Sequence, residues 1–402
     1  MHLKSLAHTL ILFSCLFFLS CEKQTTPEKK KVSIGALLSI SGNWSSLGQT
    51  SKVAIEQAIS DINGYLQTRG ANYEFSAVVY DTKLDTAVAL KSVKDAAAAG
   101  VKYFIGPQSS AELGAIRDYV NTNKLLVVSQ GSTASSLAIS NDGIFRFCPG
   151  DSIEGAAVAV SIRALGCQNL ITIARDDAGN KGLQRAVASK FTSLGGTSTS
   201  LTPYATTQTD FSSLLATLKP ILQSAISTAG ASKVGIYLGS FDECVQLFQQ
   251  ASADPIFSSV RWFGGDGVVL SAALTGNAQA AGFATATKFF APTFGLPMQA
   301  HPDLARVVSY IKSKTGIEPD AYGISAYDAT WVIANTIINY QNTTQSFSDL
   351  LTVFRQESKY FYGLSGPLQL NDAGDRSNGS FDYWGIELQN GSYVWKWVGK
   401  SQ

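Results

Sequence analysis

Short apolar runs alternate with amphipathic segments along most of the chain. The run VSIGALLSI, from Val32 to Ile40, is almost uninterrupted, which is typical of a parallel strand covered on both faces. The next segment, QTSKVAIEQAISDIN, carries apolar residues at helical spacing, and we expect this helix to end at Asn63-Gly64. The same alternation recurs as far as Tyr340, so the sequence predicts βαβ units built on parallel sheets.

The alternation falls into two series, and this division sets the predicted domain organisation. With 402 residues, the chain is too long for one ordinary hydrophobic core. The second series begins near Cys148, and an alternating tail from Ser380 with a turn at Asn390-Gly391 predicts a terminal hairpin. We therefore predict an α/β fold with two lobes of similar build, each a parallel sheet flanked by helices.

Composition and charge narrow the possible partners. Hydrophobic residues make up 45% of the chain and charged residues only 15%, which is typical of a well-packed globular protein. The formal net charge is +1, without a block of like charge. We therefore expect no nucleic-acid partner and no attraction to an anionic membrane surface.

The N-terminus departs from this pattern. One lysine precedes an apolar run from Leu10 to Leu19, which is too short to span a bilayer and is followed by Ser20-Cys21. This arrangement predicts a signal peptide over residues 1–20. The stretch FLSC resembles a bacterial lipobox, which implies a lipidated Cys21 and a polar tether over residues 21–31; an ordinary secretory signal cut nearby is the alternative. We expect an exported lipoprotein of the bacterial cell envelope that faces the periplasm and contacts the membrane through its lipid only.

Loss of the signal peptide also removes residues that could take part in catalysis or metal binding. His301 remains as the only histidine, so histidine triads and multi-histidine metal sites are excluded. The remaining cysteines are odd in number and form no C-x-x-C motif, so they are compatible with one disulfide plus a thiol or with three buried thiols. The three remaining cysteines are Cys148, Cys167 and Cys244. A serine nucleophile would lack a placed base, so we expect no enzyme activity. We also expect no metal and no cofactor.

The loops that follow the apolar strands are rich in glycine, serine and threonine. Ligands of open parallel sheets bind beyond the carboxyl ends of the strands, where these loops meet. Hydroxyls and free N–H groups at helix starts suit a carboxylate, and an acid on the opposite lobe would suit an ammonium. Within FIGPQSSAELGAI, Ser109 and Glu112 form an S-x-x-E capping box, so we expect Ser109 to cap a helix.

Four stretches, in order along the chain, carry a resemblance to a known family. They are IGALLSISGNWSSLGQTSKVAIEQAISDIN, YFIGPQSSAELGAIRDYVNTNKLLVVSQGSTASSL, FRFCPGDSIEGAA and GLSGPLQLNDAGDR. They resemble the opening segment, second motif, crossover and terminal segment of type I periplasmic binding proteins from branched-chain amino-acid (Leu/Ile/Val) ABC transporters. The resemblance extends from about Val32 to Gly399.

The resemblance implies an architecture and a function. The two lobes would be joined by a three-strand hinge and would close on an amino acid, branched-chain or similar. The protein would then deliver this solute to ABC permease subunits in the inner membrane. The implied N-terminal lobe comprises residues 32–149 and 290–363, and the C-terminal lobe residues 150–289 and 364–402.

The resemblance also assigns the two charged ends of an amino acid. By position, the carboxylate-binding hydroxyls fall on Ser110 and Thr133. The groups that would bind the ammonium are the carbonyl of Gly131 and the side chain of Asp266, an acid of the second lobe in the stretch FGGDGVV. From the residues alone, an Asx-turn is the alternative role of Asp266, and capping of a short turn is that of Thr133.

The implied side-chain pocket has members from both lobes. Trp44 and Leu47 lie where the family lines this pocket, and a second-lobe aromatic contact falls at Ser240 or Phe241. The stretch GSFDE lacks the adjacent tyrosines of the family, and Asp266 stands in place of its usual glutamate. Ligand identity is therefore not transferred, and a small amide, urea or aromatic acid remains the alternative ligand, with sensing as an alternative to transport.

Overall fold

The computed structural model describes residues 28–296, 301–340 and 346–401. The predicted signal peptide and Cys21 lie outside the described residues. Within these three ranges, no helix is both long and apolar enough to cross a bilayer.

The strands confirm the predicted alternation with helices. The hairpin β14–β15 turns at Asn390-Gly391 as predicted, and both residues have positive φ, 49° and 81°. The strands are β1 (Lys30–Leu38), β2 (Tyr73–Asp81), β3 (Tyr103–Ile105), β4 (Leu126–Ser129), β5 (Ile144–Pro149), β6 (Asn169–Ala174), β7 (Thr197–Ser200), β8 (Val234–Gly239), β9 (Arg261–Gly264), β10 (Phe290–Phe294), β11 (Tyr362–Gly363), β12 (Gly366–Pro367), β13 (Asp375–Arg376), β14 (Phe381–Gln389) and β15 (Ser392–Lys400).

Helices follow most strands of both sheets. The helices are α1 (Ser45–Thr68), α2 (Thr86–Ala98), α3 (Ser110–Thr122), α4 (Asp151–Ala164), α5 (Ala178–Ser193), α6 (Ser212–Ala229), α7 (Cys244–Ala251), α8 (Pro255–Ser258), α9 (Ala272–Thr275), α10 (Ala278–Ala286), α11 (Leu304–Thr315), α12 (Ala321–Tyr340) and α13 (Phe347–Tyr360).

Two sheets form the centres of the two predicted lobes. The first sheet has the strand order β13-β5-β4-β3-β1-β2, and all its pairings are parallel. The second has the order β15-β14-β10-β9-β8-β6-β7, and only the pairings of β14 are antiparallel. The α/β architecture with two helix-flanked, mainly parallel sheets is thus confirmed.

The apolar runs are explained by helices on both faces of the first sheet. Along β1, Ala36 and Leu38 belong to the core under α1 and α12, whereas Leu37 packs with α2 and α3 on the other face. Ile105 and Phe104 of β3 divide between the two faces in the same way. Because successive side chains point to opposite faces, a strand buried on both sides needs an apolar residue at nearly every position.

Helix α1 ends later than the sequence predicts. It continues through Asn63-Gly64 and ends at Thr68 instead. The Asn63 side chain donates from Nδ2 to the carbonyl of Phe75 at 2.8 Å and accepts from the N–H of Phe75 at 2.9 Å. This pairing with β2 engages the amide that would otherwise compete for the helix backbone, so the helix is not stopped.

The chain passes between the two sheets at three places, in agreement with a three-strand hinge. The crossings lie between β5 and α4, between β10 and α11, and between β13 and β14. Strand β10 pairs within the second sheet, and β13 pairs within the first, although the lobe ranges read from the sequence place them the other way. The remaining lobe boundaries stay predictions.

The structure also decides between the two alternatives for the cysteines, which were one disulfide plus a thiol or three buried thiols. Cys148, Cys167 and Cys244 are buried free thiols. Outside the site, Tyr327 donates its hydroxyl to Asp61 at 2.8 Å, and His301 lies just before α11.

Candidate ligand site between the lobes

A cavity lies between the lobes at the carboxyl ends of their strands. Its walls come from loops that follow β1, β3 and β4 of the first sheet and β6, β8 and β9 of the second. It leaves about 10 Å³ for the centre of a water-sized sphere, roughly the room that one ordered water needs. Its lining residues are Trp44, Ser109, Ser110, Gly131, Thr133, Gly179, Asn180, Phe241 and Asp266.

The first wall of the cavity is the start of α3. Ser109 caps this helix by accepting from the N–H of Glu112 at 3.3 Å, as predicted, and its hydroxyl donates to the Glu112 carboxylate at 2.5 Å. The next hydroxyl, that of Ser110, accepts from the N–H of Ala134 at 3.1 Å and from the Ser132 hydroxyl at 3.0 Å. With both lone pairs of its oxygen engaged, Ser110 keeps its own proton for an acceptor. The helix start adds unpaired N–H groups to this wall.

The loop that carries Thr133 is held from behind by a buried arginine. Arg146 donates from Nη1 to the carbonyls of Ser132 and Ala134, at 3.2 and 2.7 Å, on either side of Thr133. Its Nε and Nη2 form a bidentate ion pair with Asp375 of β13, both at 2.6 Å. Side-chain exposure is 2% for Arg146 and 7% for Asp375, so this pair is a fixed support for the loop.

The same loop comes too close to its neighbours for a side chain at Gly131. A Cβ at Gly131 would lie 2.9 Å from the carbonyl oxygen of Gln108, 3.3 Å from Leu47 and 3.5 Å from Trp44. Glycine therefore allows the backbone of this loop to approach the aromatic wall of the cavity.

That wall consists of two stacked rings, one from each lobe. Trp44 and Phe241 have ring centroids 4.6 Å apart at an interplanar angle of 29°. The guanidinium of Arg175 lies over the Phe241 ring at 5.4 Å. Arg175 in turn forms ion pairs with Asp177 at 3.0 Å and with Glu243 at 3.3 Å.

The second lobe supplies an acid, Asp266, with a second acid directly behind it. The N–H of Asp266 donates to Glu154 Oε1 at 3.1 Å, and the Tyr322 hydroxyl donates to Glu154 Oε2 at 3.4 Å. Burial, followed by the charge of Asp151, raises the pKa of Asp266 to about 7. Burial and the charge of Asp266 raise the pKa of Glu154 well above its usual value. Both pKa values are raised, because two buried carboxyls so close together do not readily carry two charges.

Hydrogen bonds join the two lobes beside the cavity. Asn43 donates from Nδ2 to Glu243 and accepts from the N–H of Asp242, both at 2.7 Å. The N–H of Trp44 donates to Asp242 at 2.7 Å, and the N–H of Ala272 donates to the Ser46 hydroxyl at 3.0 Å. The described conformation is thus one in which the lobes are in contact.

Comparison with known proteins decides the family. Residues 50–389 match the family described as the receptor family ligand binding region. The chain belongs to this family, which has the type I periplasmic binding fold.

Solved structures and a sequence relative extend the comparison for this type I binding protein. The leucine-binding protein LivK of Thermotoga maritima has a TM-score of 0.72 and 22% identity, over 92% of this chain and 98% of that one. The branched-chain amino-acid transporter protein LivJ of Streptococcus pneumoniae, solved with isoleucine, has a TM-score of 0.71 and 17% identity over 92% and 99%. A solute-binding protein of R. palustris, solved with benzoate, has a TM-score of 0.69 and 15% identity over 92% and 96%. An uncharacterised protein of Methanocaldococcus jannaschii is 29% identical over 97% of this chain and 95% of its own length. The family and these structural neighbours are binding proteins rather than enzymes.

Most of the ligand-binding residues predicted for this type I binding protein lie together. Leu47 lies behind the wall, near Trp44 and Gly131, and not at the cavity surface. Ser240 is buried beside Phe241, and of these two alternatives only Phe241 lines the cavity. The roles of all these residues toward a ligand stay predictions. The predicted residues at the cavity are Trp44, Ser110, Gly131, Thr133, Phe241 and Asp266.

Other residues at or behind this cavity were not predicted from the sequence. Gly179 and Asn180 of α5 line it, and the position of RDDAGNK after the apolar strand β6 was the available signal. Arg146 and Glu154 lie behind the cavity wall and support it. Their partners, Asp375 and Asp266, are far away along the chain, so nothing in the sequence next to Arg146 or Glu154 indicates these contacts. Asp151 also lies beside this loop, and its carboxylate accepts from the N–H of Ser135 at 3.4 Å.

Proposed function

We propose that this protein is a lipid-anchored substrate-binding protein that captures an amino acid between two closing lobes and delivers it to an ABC permease. The observation that carries this proposal is a single cavity with the Ser110 hydroxyl and the start of α3 on one side and Asp266 on the other. The first two suit a carboxylate and the third suits an ammonium. Together they match the two charges that every amino acid carries.

Closure follows from the division of these groups between the lobes. The carboxylate-binding groups belong to the first lobe and Asp266 to the second, so only the closed form offers both to one ligand. A ligand favours closure by the contacts that it makes in the closed state alone. Hydrogen bonds to charged groups contribute about 1.5–3 kcal/mol each, so the loss of Ser110 or Asp266 should weaken binding about tenfold or more.

The test is a ligand screen on the chain without its signal peptide. Thermal shift against amino acids, small amides and aromatic acids should show stabilisation by at least one amino acid, about 2.7 kcal/mol at a hundred times its dissociation constant. Ser110→Ala and Asp266→Ala should each remove most of this shift. Ser346→Ala is the matched control, because this serine caps α13 and is not among the residues that line the cavity.

The second candidate is a binding protein or sensor for a small amide, urea or aromatic acid. The benzoate complex among the structural neighbours favours it, because the fold accommodates a carboxylate ligand that has no ammonium. Asp266→Ala separates the two candidates: amino-acid binding should collapse, whereas binding of an amide or a simple acid should persist. A shift with the latter compounds only would overturn the amino-acid proposal.

The lipid anchor and the permease partner belong to the same proposal. Cys21 directly precedes a polar stretch, and β1 begins at Lys30, so the tether would be short. Mass spectrometry of the membrane fraction should detect a lipidated N-terminus, and Cys21→Ser should release the protein from the membrane. Uptake of the ligand that depends on this chain would support transport over sensing.

A further inference from the structure

Another, larger cavity lies in the second lobe, at the opposite end of the sheet from the cavity between the lobes. It is a groove of about 440 Å³ between the end of α4, the end of α10 and the β14–β15 hairpin. Arg261 and Phe290, which line it, are the first residues of β9 and β10. Its volume is within the range that is usual for small-molecule sites. We call this cavity the hairpin groove.

The floor of the hairpin groove is apolar and in part exposed. Leu165, directly after α4, is 42% exposed, and Val398 of β15 is 54% exposed. A Cβ at Gly385 would lie 3.1 Å from Val398 Cγ1, so glycine leaves this part of the floor open. An apolar body placed here would remove these surfaces from water. The apolar side chains that line the groove are those of Ala164, Leu165, Phe289, Phe290, Ile386 and Val398.

The rim of the hairpin groove is positively charged. Lys396 forms an ion pair with Glu387 at 2.8 Å, and three further cations, Arg261, Lys288 and Lys400, line the groove. In the part of the chain that the structure describes, these three form no ion pair, and Nε of Arg261 is buried without a hydrogen-bond partner. A buried N–H without a partner is costly, and a carboxylate is a strong acceptor for a guanidinium. The rim therefore suits an anionic group.

Both walls of the hairpin groove are fixed to its floor. The Tyr383 hydroxyl donates to the carbonyl of Ala157 at 3.1 Å and forms a hydrogen bond with the Ser161 hydroxyl at 2.7 Å, which ties α4 to β14. On the other side, the Thr285 hydroxyl donates to the carbonyl of Ile386 at 3.1 Å, which ties α10 to β14. The groove therefore has its shape before a ligand binds, and binding would not require closure of the lobes.

We infer that the hairpin groove is a second binding site, for a single-chain anionic amphiphile such as a fatty acid. The chain would lie on the apolar floor, and its carboxylate would accept from the guanidinium of Arg261. Lys288 and Lys400 would add electrostatic attraction at the rim. The inference goes beyond the proposed function and does not depend on it, because none of the residues that line the groove lines the cavity between the lobes.

The test uses octanoate, decanoate and dodecanoate as probes, each below the concentration at which it forms micelles. Calorimetry on the chain without its signal peptide measures the dissociation constants. We expect one site per chain and an affinity that increases by about threefold or more for each methylene that becomes buried. Decylammonium has the same tail as decanoate but the opposite charge, and it should bind at least about tenfold more weakly.

Variants locate the binding site. Arg261→Gln should weaken decanoate binding by about tenfold, and Lys288→Gln/Lys400→Gln by about two- to fivefold. Val398→Glu, which places a carboxylate on the floor, should abolish binding. Val398 and both lysines are exposed, so these substitutions should leave the fold intact. Lys233→Gln is the matched control and should bind as the wild type does, because Lys233 is an exposed lysine of the same lobe that does not line the groove.

Several results would overturn the inference. They are no binding of the three acids, equal binding of decanoate and decylammonium, and groove variants with the affinity of Lys233→Gln. Loss of decanoate binding in Ser110→Ala would place the acid between the lobes instead. Co-sedimentation with phosphatidylglycerol vesicles that Val398→Glu abolishes would identify a membrane lipid rather than a free acid as the ligand. Decanoate binding without binding of any amino acid would contradict the proposed function and leave the hairpin groove as inferred.

Discussion

Asp266 has a pKa near the pH at which the protein would work, although it is an ordinary carboxyl in a free chain. Burial favours its neutral form, and the nearby charge of Asp151 adds to this effect. Burial and the charge of Asp266 also raise the pKa of Glu154, which lies directly behind it. Only one charge of this pair is therefore available to a cationic ligand group.

The first prediction concerns the pH dependence of binding. A ligand ammonium needs ionised Asp266, whose pKa is raised to about 7. Affinity for an amino acid should therefore rise with pH up to about 7 and level off above it, and binding below that pH should release a proton. Calorimetry in buffers of different ionisation enthalpy measures this release. Asp266→Asn, which has no carboxyl to ionise at this position, should lose both affinity and pH dependence. Affinity that does not change between pH 5.5 and 8 would contradict this account.

At the scale of elements, the site depends on a contact between β5 and β13. Arg146 joins these strands through Asp375 and supports the carbonyls on either side of Thr133. Removal of one partner leaves a buried charge unpaired, which costs about 3–5 kcal/mol, whereas an apolar replacement of both is often nearly neutral.

This difference gives the second prediction. Arg146→Met should lower the free energy of unfolding by about 3 kcal/mol or more and weaken ligand binding. The double variant Arg146→Met/Asp375→Leu should recover most of the stability but not the affinity, because the loop at Thr133 still lacks its donor. Denaturant unfolding and calorimetry on the same samples separate the two effects. Full recovery of affinity in the double variant would mean that the loop needs no support from Arg146.

Element by element, the sequence was most informative where a signal is local. The resemblance to the family assigned Ser110 and Thr133, whose loops follow strands of the first sheet and line the cavity, and the β14–β15 turn was predicted because Asn-Gly tolerates positive φ. The end of α1 was predicted wrongly because Asn63 is satisfied by a strand that comes later in the chain. Helices α9 and α10 escaped prediction because their alanine- and glycine-rich segment has no clear apolar periodicity. Glu154 was missed for a related reason: its partner, Asp266, is more than a hundred residues away.

At the scale of the whole molecule, the two lobes are held together beside the ligand cavity by Asn43. Its amide forms hydrogen bonds with both Asp242 and Glu243 of the other lobe. These bonds exist only when the lobes are in contact, so they favour the closed form whichever ligand is bound.

The third prediction follows from this position. Asn43→Ala should shift the population toward open lobes and weaken ligand binding by about fivefold or more, since it removes two hydrogen bonds that each contribute about 0.5–1.5 kcal/mol. Small-angle scattering at saturating ligand reports the shape, and calorimetry the affinity. Asn121→Ala is the matched control, because Asn121 accepts from Gly143 within the first lobe at 2.9 Å. Equal effects of the two variants on the scattering profile would exclude a specific role of Asn43 in closure.

The fourth prediction concerns stability and pH. Burial raises the pKa of Asp142, Asp151, Asp320 and Asp328 to about 6 each. Their neutral forms are favoured in the folded state, so the stability that they contribute is complete below about pH 4 and is lost as the pH rises through about 6. The free energy of unfolding should therefore fall between pH 5 and pH 7, by about 1 kcal/mol for each such group that is fully buried.

Asp320→Asn provides the control for this prediction. Asparagine can still accept from the N–H of Gly323, as Asp320 does at 2.7 Å, but it does not titrate. Its decrease in stability between pH 5 and pH 7 should be smaller than that of the wild type by about 1 kcal/mol. Denaturant titrations at the two pH values measure both slopes. Wild-type stability that rises over this interval would show that other groups dominate.

The three buried thiols have a practical consequence for following lobe movement. Burial raises the pKa of Cys148, Cys167 and Cys244, so each stays in its unreactive protonated form. In the chain that begins after Cys21, a maleimide dye should therefore attach only to a cysteine introduced on the surface. One such cysteine on each lobe would turn the protein into a fluorescent reporter whose energy transfer responds to its own solute. No native residue would have to be replaced to remove background labelling.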